Sequence, residues 1–272
     1  MRSTVVRRTA LVASAAALTL LVTACGGSSD DGDAAGDDKA ESSRSAPAGG
    51  AEAESGRSAP AGDALGAAEL EKIALAQADV KNGKVATEIP ADEDVAKDKI
   101  STDDKACLPL ALAVAAAAQG EPGAEVKRSW EGQTDTLSEG SGPDGQDMTE
   151  VQVNMIRLNV ASYAGGGAEQ ALAELKTATE KCAGGFTATV DSEKMRVAEV
   201  TTAAAPKGGD EGVAVTLGID IGQDANAPMK VVAVRKGGTL ASFSATNLSS
   251  MMSGVDFEVP MDVVDAQVAK LG

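Results

Sequence analysis

The sequence predicts an α+β fold: a twisted, mostly antiparallel β-sheet flanked by helices, placed after a cleaved signal peptide and a disordered tether. Three observations point there. The C-terminal third reads as strand after strand joined by short turns, which sets neighbouring strands antiparallel. Stretches with apolar residues three and four positions apart interrupt the strands and read as covering helices. Hydrophobic residues make up 43% of the 272, enough for one core of moderate size.

The leader comes first. Arg2, Arg7 and Arg8 form a basic start, and Thr9 to Val22 is an uncharged apolar run, shorter than the roughly 20 residues a permanent membrane-crossing helix needs. Val22-Thr23-Ala24-Cys25 looks like a bacterial lipobox, with an aliphatic residue three before the cysteine, small residues between, and a thiol to accept diacylglycerol. Residues 1–24 are therefore expected to be a lipoprotein signal peptide and Cys25 the lipidation site. Two or more acyl chains hold a protein on a bilayer stably, so the expected location is the outer face of the cytoplasmic membrane. The Arg7-Arg8 pair leaves the export route, general or twin-arginine, open.

Residues 25–63 are expected to be the lipidated cysteine and its tether. From Gly26 to Asp63 the chain is Gly, Ser, Ala and acids, with nine acidic against three basic residues and no hydrophobic period. Such a composition buries too little to order itself. ESSRSAPAG (Glu41 to Gly49) recurs as ESGRSAPAG (Glu54 to Gly62), a spacer repeat with an r.m.s. span on the order of 35 Å for the whole tether.

The folded part is expected over residues 64–272. Leu65 to Asp79 reads as a helix with Leu70, Ile73 and Ala74 on one side, and Gly83 to Ile89 as a strand closed by Pro90. Asp92 to Asp104 reads as a charged loop. Cys107, Leu110, Ala111, Val114 and Ala118 share one helix face, with Pro109 in the first turn, where its missing N–H costs little. Ala124 to Gln133 reads as a strand carrying Val126 and Trp130. In the next strand Val151, Val153 and Met155 alternate, then Ile156, Leu158 and Val160 alternate in the opposite phase; a β-bulge at Met155 and Ile156 would keep both sets inward. After Gly165-Gly166-Gly167 comes a helix with Ala168, Ala171, Leu172, Leu175, Thr179 and Cys182 on one face, closed by Gly184-Gly185. Strands follow at Phe186–Val190, Met195–Thr202 and Val213–Ile221. Val231 to Val234 is apolar on both faces, as in a central strand, and Lys236-Gly237-Gly238-Thr239 reads as a hairpin into Leu240–Ala245. Pro260 opens a last helix with Met261, Val264, Val268 and Leu271 in a stripe.

Composition excludes several chemistries. With no histidine there is no Ser-His-Asp or Cys-His triad and no His-ligated zinc. Five aromatics (Trp130, Tyr163, Phe186, Phe243, Phe257) are too few for stacking platforms. Removal of residues 1–24 leaves 21 basic against 41 acidic residues, a charge of −20 that repels phosphate backbones, so no nucleic-acid partner is expected. Asp92, Glu93, Asp94, Asp98, Asp103 and Asp104 lack the frame and closing Glu of a calcium loop and read as a solvated acidic stretch. Gly140, Gly142 and Gly145 are followed by no Lys-Ser/Thr and read as a flexible loop. Thr102-Asp103-Asp104-Lys105 has Thr where a Ser-x-x-Lys motif has its nucleophile. No catalytic residue, metal ligand or cofactor is expected.

Two cysteines remain, Cys107 and Cys182, each on the apolar face of an expected helix in a chain bound for an oxidising compartment. A disulfide joining the two helices is expected; two unpaired buried thiols are the alternative.

The order of features resembles the PknH-like extracellular sensor domains of actinobacterial kinases and lipoproteins. It runs from a strand ending near a proline, through a helix opening with Cys107, two strands and a helix ending with Cys182. An antiparallel run containing Val234-Arg235-Lys236-Gly237-Gly238 and a terminal helix complete it. The resemblance spans about residues 65–272. It implies a twisted antiparallel sheet with helices, a solvent-exposed cleft for an unidentified ligand, and no catalysis. One candidate disulfide stands here where the kinase domain has two, so the cleft's geometry does not carry over.

The functional expectation is a membrane-anchored extracytoplasmic lipoprotein with a non-catalytic ligand-binding or sensor/interaction domain. Its partners would be the membrane through lipid on Cys25, and a small molecule or envelope protein. The alternative is a carrier of a lipid or other apolar ligand; a histidine-free wall hydrolase is a third class. The anchor is directly testable: Cys25→Ala should move the protein from the membrane fraction to unprocessed or released forms, read by fractionation and intact mass. Unchanged membrane retention would refute the lipid anchor.

Overall fold

The computed structural model describes residues 63–91, 93–138 and 148–271. The expected signal peptide, Cys25 and nearly all of the expected tether lie outside these residues, as do Asp92 and Gly140, Gly142 and Gly145. The described strands are β1 (Lys84–Ala86), β2 (Ile100–Thr102), β3 (Ala124–Ser138), β4 (Met148–Ser162), β5 (Phe186–Val190), β6 (Glu193–Ala203), β7 (Glu211–Gly222), β8 (Ala225–Lys236) and β9 (Thr239–Asn247). They form one sheet in the order β1-β3-β4-β9-β8-β7-β6-β5-β2, with every neighbouring pair antiparallel. Both edges are three-residue strands, β1 pairing only with Ser129, Trp130 and Glu131 of the longer β3.

The central strands are apolar on both faces, and alternate residues enter two separate cores. Val231 and Ala233 of β8 join Leu217, Leu240 and Val215 on one face. Val232 and Val234 join Phe243, Leu158 and Trp130 on the other. The first face is covered by α2 (Leu108–Val114) and α3 (Gly167–Lys181), through Leu110, Leu172 and Leu175. The second is covered by α1 (Ala67–Ile73) and α5 (Met261–Val268), through Leu70, Val263 and Val264. Each of these large side chains contributes about 1.5–3 kcal/mol by leaving water.

Covalent and polar ties hold the covering helices. Cys107, at the N-terminal boundary of α2, and Cys182, just past α3, form the expected disulfide, with their Cα atoms 5.9 Å apart. On the other face the guanidinium of Arg128, 4% exposed, gathers the chain leaving α1 and β1. Its Nε donates to the Leu75 carbonyl (3.2 Å), Nη1 to the carbonyls of Lys127 (2.8 Å) and Thr87 (3.3 Å), and Nη2 to Glu71 Oε2. Gln267 of α5, fully buried, donates to the Ile73 carbonyl at 2.8 Å, and Lys270 pairs with Asp79. Trp130 donates from Nε1 to the Asn82 carbonyl at 3.0 Å. A Cβ on Gly83 or Gly132 would collide with its indole, so glycine is required at both positions.

Several elements depart from the sequence reading. The first helix ends at Ile73, and only a 3₁₀ turn (Gln77–Asp79) follows, because Asp79 is recruited to cap Ala76 and to pair with Lys270. The expected strand at 83–89 shortens to β1. The charged loop contains β2, whose Ile100 supplies the burial that pins it to β5. The second helix stops at Val114; Ala116 turns with φ of 51°, and Ala118 is buried from outside the helix. No bulge interrupts β4 at Met155 and Ile156, where pairing to β3 and β9 is continuous. The phase change is real but resolved otherwise: Ile156, Leu158 and Val160 are buried, while Val151 and Met155 stay 49% and 39% exposed. β8 begins well before Val231, and α4 (Leu248–Ser253), capped by Asn247, was not anticipated. Pro228 is tolerated inside β8 because pairing with β9 starts only at Lys230 opposite Ala245.

Two stability tests follow. Cys107→Ala with Cys182→Ala should lower unfolding free energy by about 2–4 kcal/mol in urea, since the bridge closes a long loop; an unchanged midpoint would contradict the cross-link's role. The Lys270 ammonium, by hydrogen bonding, holds the Asp79 carboxyl below its ordinary value, and the Ala76 amide acts in the same direction, against partial burial. A carboxyl more acidic in the folded state stabilises above its unfolded pKa and loses that contribution as pH falls through the lower folded value. Lys270→Met should therefore cost about 0.2–1 kcal/mol at neutral pH, a difference that fades below about pH 4.

Candidate functional site

A cleft of about 500 Å³ opens beside the face that carries α2 and α3. Its floor is the start of β3, Ala124 to Lys127; one wall is the segment after α2, Ala117 to Pro122, and the other is the strap at residues 94–97. Sequence chemistry builds each part. Helix α2 cannot continue past Ala115, and the left-handed Ala116 (φ 51°) and Gly120 (φ 52°) turn the chain back toward β3. Between them Ala117 and Ala118 are buried in the core, and so is Gln119, which donates from Nε2 to the Pro109 carbonyl at 3.1 Å. The Gln119 carbonyl accepts from the Tyr163 hydroxyl at 2.7 Å. Burial, and secondarily the Glu125 carboxylate, push the Tyr163 phenol well above its ordinary value. It therefore stays a neutral hydrogen-bond donor at any physiological pH.

The charged lining is Asp94, Lys97, Glu121, Glu125 and Lys127. Most of it is paired across the cleft. Lys97 donates to the Gly120 carbonyl and to Glu121 Oε1 (3.2 Å), joining strap to wall. Lys127 on the floor pairs with Asp94 of the strap. Glu125 accepts from Asn159 Nδ2 at 2.6 Å, and Arg157 on the same face of β4 binds Glu93 Oε2 at 2.9 Å. The strap is thus held over the sheet by two cations, Lys127 and Arg157. These pairs are partly exposed, so each is worth little alone. A ligand bearing both signs of charge can exchange for them without burying an unpaired group. No serine, cysteine or histidine is among the lining residues.

Of the acids weighed as a calcium loop, Glu93, Asp94, Asp103 and Asp104 have separate structural roles. Glu93 and Asp94 pair with Arg157 and Lys127. Asp103 accepts from the Thr187 amide at 3.0 Å, and that hydrogen bond holds its carboxyl below the ordinary range. Asp104 caps the turn at Ala106, and Thr102 donates to the Asp104 carbonyl. Among the described residues no cluster of His, Cys, Asp or Glu is placed to hold a metal ion. Lys97, Glu121, Glu125, Lys127 and Tyr163 were not singled out from sequence. The one visible signal was Asn159, a buried amide between Leu158 and Val160 in an otherwise apolar stretch.

No protein-family model matches the chain. A search of the curated proteins finds no similar sequence. Among solved structures, the extracellular domain of PknH from Mycobacterium tuberculosis is similar to this chain at 13% sequence identity and a TM-score of 0.30, covering 68% of this chain and 96% of that one.

Proposed function

We propose that the chain is an extracytoplasmic lipoprotein, held by lipid on Cys25 at the outer face of the cytoplasmic membrane. Its sheet domain would bind a small polar ligand in the cleft between strap and β3 without transforming it. The observation that carries this reading is the cleft's mixed lining, in which Asp94 and Lys127, and Lys97 and Glu121, face each other as exchangeable pairs. A ligand with an ammonium and a carboxylate, such as an amino acid or a short wall-stem peptide, fits that arrangement. In favour of the anchor stand Val22-Thr23-Ala24-Cys25 and the polar stretch behind it. Among the described residues no helix is long and apolar enough to cross a membrane.

The alternative, a lipid carried between sheet and helices, has less support, since Leu110, Leu172, Leu175 and Leu217 fill one interface and Leu70, Trp130 and Phe243 the other.

Thermal unfolding of the mature protein with lysine, arginine and a lysine-containing stem pentapeptide tests the reading. A saturable rise in Tm is expected, growing with the logarithm of ligand concentration and lost in Lys97→Ala and Lys127→Ala. Consumption of a probe, or a rise that survives both substitutions, would sink it.

A further inference from the structure

The face of the sheet opposite the cleft is only half covered. α1, α4 and α5 pack on β3, β4, β8 and β9, while at β6 the same face is exposed at Thr201 and Ala203, and a groove opens beside the cover over Ala214 and Thr216 of β7 and Lys230 of β8. Cross-strand rows make the floor there: Ala203 opposite Ala214 opposite Val232, then Thr201 opposite Thr216 opposite Lys230. Pro206, after β6, stands on one side, and Val259 and Met261, leading into α5, on the other. Together they enclose a groove of about 500 Å³ with a mostly apolar lining. The apolar surface continues outward along the same segment, where Met261 is 37%, Val255 66% and Met252 80% exposed. Methionine adapts to varied partners more readily than branched side chains do.

Charge selects the occupant. Lys230, the one cation in the lining, is already engaged: its ammonium pairs with Asp256 at 2.9 Å, donates to the Phe257 carbonyl and sits 5.2 Å from the Phe257 ring centre. With Asp256 spent on Lys230, what the groove offers outward is acidic, with Glu258 in its lining and Asp262 exposed beside it. A second copy of the chain would bring the same acids against these, and 41 acidic against 24 basic residues repel copies at long range as well. Anionic phospholipids and fatty-acid carboxylates are repelled for the same reason.

We infer that this groove docks a cationic segment of a partner protein. An apolar side chain of that segment would sit between Pro206 and Met261, and a Lys or Arg would meet Glu258. The inference is independent of the ligand cleft, which lies on the other face.

The probe is a synthetic peptide of alternating leucine and lysine, titrated into the isotope-labelled mature protein and followed by methyl NMR. Saturable shifts should gather on Ala203, Ala214, Val232 and Met261. Ala203→Phe, which fills the floor, and Glu258→Lys should each weaken binding by about tenfold or more. Glu180→Lys, an equal charge change on α3 across the sheet, should leave affinity within about twofold. The same spectra report whether each variant is folded. Four results would overturn the inference: shifts centred elsewhere, an equal loss with Glu180→Lys, tighter binding of dodecanoate or phosphatidylglycerol vesicles, or the same methyls shifting with protein concentration alone.

Discussion

Strands β8 and β9 are buried on both faces, and that constraint organises the rest of the domain. Val231 and Ala233 face one core and Val232 and Val234 the other, so neither side of the sheet centre can meet water. Two covers are required. They are assembled largely from helices of seven or eight residues, too short to persist alone. Their stability is borrowed from the contacts that hold them down: a disulfide for α2 and α3, and Arg128, Gln267 and Lys270 for α1 and α5. The sheet centre sets the demand, and these few ties decide where the covers sit.

Elements with a strong period were legible from sequence. β5, β7 and the β8–β9 hairpin follow from strict alternation and from Gly237-Gly238 at the turn, and α3 from an apolar stripe about four turns long with glycines at both ends. What escaped was set by partners far away in the chain. β2 is three residues whose only claim to be a strand is β5 beside it. The phase change in β4 looked like a bulge because the sequence does not say that Val151 and Met155 are left outside the helical cover. The turns at Asp191-Ser192 and Gln223-Asp224 adopt left-handed backbone without glycine, and so carried no punctuation.

The cleft was less legible than the fold, for a related reason. Its lysines and acids are ordinary surface residues one by one, and meaning comes from juxtaposition: Asp94 meets Lys127 and Lys97 meets Glu121 only once the strap crosses the sheet. The disulfide was easier to foresee because cysteines are few and have few ways to pair. Asn159, beneath the cleft, carried a signal that went unread, since a polar group amid buried strand residues demands a partner; Glu125 is that partner.

The clasp between α1 and α5 joins residues 194 positions apart through Gln267 and Ile73, and 191 apart through Lys270 and Asp79. A ribosome makes α1, β3 and β4 well before α5. Until α5 exists, Trp130, Leu158 and Phe243 have only the α1 part of their cover, however well their strands have paired. The second cover therefore rests on contacts distant in sequence, the kind that forms slowly and leaves apolar surface open to aggregation meanwhile.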